Sequence, residues 1–275
     1  MNHQHYHPQR PHTAPASTTQ THRRILFIDI DGTMVGNVAH LVCEWDLINT
    51  FERSKTRALK ASIVDRLRFG ILRPYLDQFL KHLPAKTPVF VYTASDKVWA
   101  NFLVSCIEQA LDFKFQRPIF SRVHCTSVDG EYKKSLRRVL PIARRSLGLR
   151  PDDPSARGLL IDNTPSVLPA DEARESLVAC PTYEFSYFYD VLSNLSVSVV
   201  HAKFPRIISI LKKNKAFPET IDSDRITYMQ FLYIYHEHLS RTLRYVYRKN
   251  IEQLKHDEFW LHAAKGALAR LSVSP

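Results

Sequence analysis

Asp29 and Asp31 stand one residue apart at the end of the apolar run RRILFIDI, and Gly32 follows them. A buried strand running into a tight turn aims two such carboxylates at one cavity, and glycine tolerates the backbone angles the turn demands. One carboxylate can attack phosphorus and form an aspartyl-phosphate, which splits a hard displacement into two easier steps. Its neighbour can protonate the leaving oxygen and afterwards deprotonate water. Two carboxylates and a phosphate dianion repel one another, so this chemistry calls for a divalent cation. An oxygen-rich donor set suits Mg²⁺. An Asx-rich turn after a strand explains the same residues without any chemistry, so the pair alone decides nothing.

Three further clusters weigh against that bland reading. Thr93 ends the apolar run PVFVYT, where its hydroxyl and backbone N–H can meet a phosphoryl oxygen, and Ala94 and Ser95 follow it. Lys134, in EYKKSL, offers a point charge against a transferring group, with Lys133 as an adjacent competitor. Asp162 and Asn163, after GLLI, offer oxygen ligands to a metal. Taken singly each is ordinary. In order, they supply a nucleophile, an acid/base, a phosphate donor, a counter-charge and metal ligands.

Positioning them requires elements of a particular kind. The runs RRILFIDI, PVFVYT, GLLIDN (158–163) and SLVAC (176–180) read as buried strands, and PIFSRVHC as a further short one. Helices are expected over RPYLDQFLKHL, over 96–111 with Val98, Phe102, Ile107 and Leu111 inward, and over 131–147. Residues 36–72 carry no clear period. Strands alternating with helices imply an α/β fold with a central parallel sheet covered on both faces. Ligands bind such sheets beyond the carboxyl ends of the strands, where DIDGT, TAS and DNT all fall. Residues 201–213 and 224–271 look helical. Tyr228, Phe231, Leu232, Tyr235, Leu239 and Leu243 form a stripe read as core packing rather than as a stacking surface.

FIDIDGT, VYTAS, YKKSL and LLIDNTP resemble the four motifs of the haloacid-dehalogenase superfamily. RPYLDQFL, TAS and DNTP look like its FCP/SCP-like branch, phosphatases that act on the RNA polymerase II C-terminal domain. The likeness covers roughly residues 24–181. A further resemblance is to baculovirus-type nucleocapsid-assembly proteins of the same fold, which these motifs do not separate from cellular relatives. The resemblance implies a Rossmann-like fold with Asp29 as nucleophile and Asp31 as acid/base. It implies Thr93 with Ala94 and Ser95 on the phosphoryl group, Lys134 neutralising it, and Asp29, Asp31, Asp162 and Asn163 around Mg²⁺. DIDGTM departs from that branch's usual DLDET, and residues 36–72, where a substrate-selecting flap or cap belongs, match nothing in it. The expected organisation is an arm over 1–22, a phosphatase domain over 23–183 with 36–72 inserted, and a helical extension over 184–275.

Composition narrows the partners. Hydrophobic residues make up 44% of 275, enough for a sizeable core. The apolar runs fall far short of the ~20 residues that a membrane span needs. The first 22 residues are polar, lack the apolar stretch of a secretory signal, and hold five irregularly spaced histidines, read as solvated tail rather than metal site. Four scattered cysteines without a CxxC pair point to a reducing compartment, nuclear or cytoplasmic. The net charge of +11 favours an anionic partner. A phosphoprotein on Ser or Thr is the first expectation. Nucleic-acid ends or an acidic protein are the alternative, through Arg137, Arg138, Arg144 and Arg145 on one helix face and Arg241, Arg244 and Arg248 on another. A non-catalytic scaffold would be expected to lose an aspartate or the lysine; all are retained.

Overall fold

The computed structural model describes residues 23–84, 87–172 and 174–263. The N-terminal arm with its histidines, and residues 264–271 of the expected C-terminal helix, lie outside them. The elements in chain order are β1 (Arg23–Ile28), α1 (Ala39–Phe51), α2 (Thr56–Arg66), α3 (Leu76–His82), β2 (Val89–Val91) and α4 (Lys97–Leu111). After these come β3 (Thr126–Val128), β4 (Glu131–Lys133), α5 (Leu136–Ser146), β5 (Ala156–Asp162), β6 (Leu177–Ala179), α6 (Val197–Lys213) and α7 (Tyr228–His256).

Four strands form one parallel sheet in the order β2-β1-β5-β6. The chain steps from β1 to one side and then crosses to the other, so the strand order reverses beside β1. That crevice, beyond the carboxyl ends of β1 and β5, is where open α/β sheets bind ligands. Period-two alternation divides the sheet's side chains between two cores. Ile25, Phe27, Phe90 and Leu160 pack against Val139 and Ala143 of α5. Leu26, Ile28, Val91 and Ile161 face the larger core, which also takes in Leu47, Ile63, Phe79 and Leu103. Both faces are buried, which is why these strands read as continuous apolar runs.

Several expectations need correction. Residues 131–133 are strand, not helix. They pair with 126–128 across Asp129 and Gly130, both at positive φ, and α5 starts only at Leu136 with Ser135 as its cap. PIFSRVHC is not a strand: Phe120 makes a single bridge to Tyr92, and a helical turn follows at Arg122–His124. Val98 is 65% exposed, because Asp96 caps α4 at a phase that turns Trp99, Leu103 and Ile107 inward. Phe102 is half-buried against Trp45, with ring centroids 3.9 Å apart. Residues 36–72, unassigned from sequence, form α1, α2 and a wide helical turn at Leu67–Ile71, with Leu41, Leu47, Leu59 and Ile63 in the core.

In the C-terminal segment α7 begins at Tyr228, behind a capping box of Thr227 and Gln230, rather than at 224. The 3.6-residue period carries its inward face from Phe231 and Tyr235 to Val246 and leaves Leu243 exposed. This helix is tied to the body of the chain. Asn250 accepts from the Ser186 N–H at 2.9 Å, Tyr235 donates to Asp190 at 3.0 Å, and Arg73 pairs with Asp257 at 2.9 Å. Trp260, fully buried, packs on Phe79. Among the described residues no helix is long and apolar enough to cross a membrane.

Candidate active site

The chain leaves β1 with the Asp29 N–H donating to Ile161 O at 3.0 Å, so the first carboxylate stands level with the end of β5. It then closes a tight turn: the N–H groups of Met34 and Val35 both donate to Ile30 O at 3.0 Å. Gly32 sits at φ +74°, and a Cβ there would lie 2.6 Å from Asn163 Nδ2. The glycine is needed both for the turn and for the approach of Asn163, just after β5. Gly32→Ala is therefore expected to push Asn163 aside and strain the backbone, costing about 1–3 kcal/mol. Chemical denaturation checks the stability.

Lys134 is 3% exposed and enters the site from the segment between β4 and α5. Its Nζ donates to Asp29 Oδ1 and, at 2.6 Å, to Asp162 Oδ2. Neighbouring Lys133 turns outward to Glu131 and Ser166 O, so Lys134 is the lysine that the fold brings to the carboxylates. Asp162 is fixed from its other oxygen by the Thr164 N–H at 2.8 Å. Asp31 accepts from Ser95 Oγ at 2.9 Å. Thr93, fully buried, accepts the Ser95 N–H at 3.1 Å and thereby steadies the group that holds Asp31. The Ala94 carbonyl accepts from Arg122 Nε at 2.8 Å.

One residue escaped the sequence reading. Thr33 is fully buried, lies 3.1 Å from Asp29 Oδ2 and 3.3 Å from Asn163 Oδ1, and accepts the Asn163 N–H at 3.0 Å. Its hydroxyl has one proton to give, so it ties Asp29 to the asparagine through a single shared donor. The signal was present, a threonine four positions after Asp29. Its role depends on the turn closing.

Electrostatics describe a site short of positive charge. Burial raises Asp29 to about 7; Lys134 pulls it down, while Asp162 and Asp31 push it up. Burial also raises Asp31, against the hydrogen bond from Ser95 and the charge of Lys134. Burial works against the Lys134 ammonium, yet Asp29 and Asp162 hold it above the ordinary lysine value. Three carboxylates thus share one ammonium, a balance that a divalent cation would complete. Among the described residues no three carboxylate, imidazole or thiol groups form a ready cage. Mg²⁺ does not require one, because it takes one or two carboxylates and fills its shell with water and substrate oxygens. The donor set therefore fits.

The NLI interacting factor-like phosphatase family matches residues 24–196, which takes in Asp29, Asp31, Thr93, Lys134, Asp162 and Asn163. No curated protein matches the chain. Among solved structures, a fission yeast RNA polymerase II CTD phosphatase, an Fcp1 variant bound to beryllium fluoride, is 19% identical with a TM-score of 0.37. That match covers 84% of this chain and 67% of the other. A second Fcp1 structure, described as an essential RNA polymerase II CTD phosphatase, is 17% identical with a TM-score of 0.38, covering 84% of this chain and 63% of the other. The family match carries the assignment. With its parallel sheet and its carboxylates at the switch point, the chain belongs to the NLI interacting factor-like phosphatases, the FCP/SCP-like branch of the haloacid-dehalogenase fold.

Proposed function

We propose that the chain is a Mg²⁺-dependent phosphatase that removes phosphate from serine or threonine of a protein through an aspartyl-phosphate at Asp29. The observation that supports this most is the buried Lys134 held between Asp29 and Asp162 beside a second acid, Asp31. An Asp29 oxygen forms a bond to phosphorus as the bond from phosphorus to the serine or threonine oxygen breaks, and Asp31 gives that oxygen its proton. Water then attacks phosphorus, Asp31 takes the water's proton, and the Asp29–phosphorus bond breaks to release phosphate. Burial, by raising Asp31, favours the protonated form that the first step needs.

Lys134 neutralises charge on the transferring group, and Thr93 and Ser95 hold Asp31 and the phosphoryl pocket. Mg²⁺, when bound by the Asp29 carboxylate, the Asp31 backbone carbonyl and Asn163 with Asp162 beside them, supplies charge neutralisation at the phosphoryl oxygens. A protein substrate is favoured over nucleic-acid ends because the arginines of α5 are largely engaged within the chain. Arg137 pairs with Asp171, Arg138 donates to Cys125 O, and Arg144 donates to Ala156 O. The four scattered cysteines suit a nuclear or cytoplasmic setting.

Hydrolysis of an aryl phosphate and of a phosphoserine peptide, measured with Mg²⁺ and again with EDTA, tests the proposal. Chelation is expected to lower both rates at least about 10²-fold, reversibly. Undiminished turnover in EDTA would remove Mg²⁺ from the account, and hydrolysis of neither substrate would remove the phosphatase.

A further inference from the structure

We propose that α6 and α7 complete a groove that holds about three to four residues of substrate polypeptide beside the phosphorylated residue. The inference rests on the phosphatase reading and adds the substrate's form to it. A single cavity of about 1160 Å³ is lined both by Asp31, Ser95 and Asn163 and by Lys215, Tyr245 and Lys249 of the C-terminal segment. Sites for small molecules run to roughly 300–1,000 Å³, so this one exceeds what a free phosphomonoester fills.

Its length follows from α1. Val38, which caps α1, and Val42, Trp45 and Asp46 within it line the groove, and Asp46 pairs with Lys213 at 3.0 Å. Eight helical residues advance about 12 Å. That distance accommodates about three to four residues of extended chain.

The lining selects polypeptide over nucleic acid. Asp31, Asp46, Asp96 and Glu184 face Arg122, Lys213, Lys215 and Lys249, four acids against four cations. Lys213 is committed to Asp46, and Lys249 to Glu184 at 2.5 Å. A polyanionic strand needs a row of uncommitted cations, and this lining leaves only Arg122 and Lys215. It has aromatic walls instead, from Trp45, Trp99, Phe188 and Tyr245. Tyr245 is 72% exposed along this wall, an amphipathic ring of the kind that anchors a bound chain. The wall is fixed, because α7 is held by the Asn250–Ser186 and Arg73–Asp257 contacts on the flanking stretch of the same helix and just after it.

The test uses the full chain and compares kcat/KM for a phosphoserine peptide of about nine residues with kcat/KM for an aryl phosphate. Tyr245→Ala is expected to lower the peptide-to-aryl ratio about tenfold, through KM for the peptide. Tyr247→Ala, exposed but outside the groove, is expected to leave that ratio unchanged. A ratio that ignores Tyr245, or that falls equally with Tyr247, would overturn the groove. If instead a 5′-phosphorylated oligonucleotide responds to Tyr245→Ala and the peptide does not, polypeptide is the wrong occupant. A wild-type chain inactive on every monoester would fail earlier, at the phosphatase reading itself.

Discussion

Asn in place of Asp29 is expected to abolish phosphate release, with kcat on an aryl phosphate falling on the order of 10⁴-fold or more. An amide keeps the size of the side chain and can still meet Thr33 and Lys134, but it has no carboxylate with which to attack phosphorus. The fold should not suffer. Burial already disfavours the charge on Asp29, and removing that charge leaves Lys134 paired with Asp162 at 2.6 Å. The thermal midpoint of Asp29→Asn is therefore expected to match or exceed that of the wild type. Loss of rate together with loss of fold would point to a structural role for this carboxylate instead.

The second large effect concerns Lys134. Methionine there fills a similar volume but removes the ammonium that Asp29 and Asp162 share, both of them almost wholly buried. Breaking a buried pair on one side leaves uncompensated charge and typically costs about 3–5 kcal/mol. The rate should fall as well, by about 10²–10³, as when one preorganised charge is removed from such a site. The two effects are separable. Adding Asp162→Asn to Lys134→Met removes one stranded carboxylate, so it should recover part of the stability in a urea titration and none of the rate. Recovery of both would mean that Lys134 serves only the fold.

How much of this was legible in the sequence depends on how local each feature is. The strands that carry Asp29, Thr93 and Asp162 are buried on both faces, so their apolar runs announce them without any knowledge of pairing. The β3–β4 hairpin was missed although Asp129-Gly130 is a strong turn signal, because the flanking residues are exposed and carry no apolar alternation. Val98 was misplaced because a helix's phase is set by its cap and its neighbours, and one position moves a side chain about 100° around the axis. Leu243 failed for the same reason. Thr33 escaped because its hydroxyl finds Asp29 and Asn163 only when the turn closes against β5. The groove was beyond any local reading: its walls at Asp46 and Lys213 lie far apart in the chain, and only packing brings them together.

Rapid acid quench of a single turnover, followed by peptide mapping of the trapped protein, tests the central claim most directly. A phosphoryl group labile to hydroxylamine is expected on the peptide containing Asp29, appearing before free phosphate and absent from Asp29→Asn. Turnover without a phosphorylated protein, or a phosphoryl group on any other residue, would contradict it.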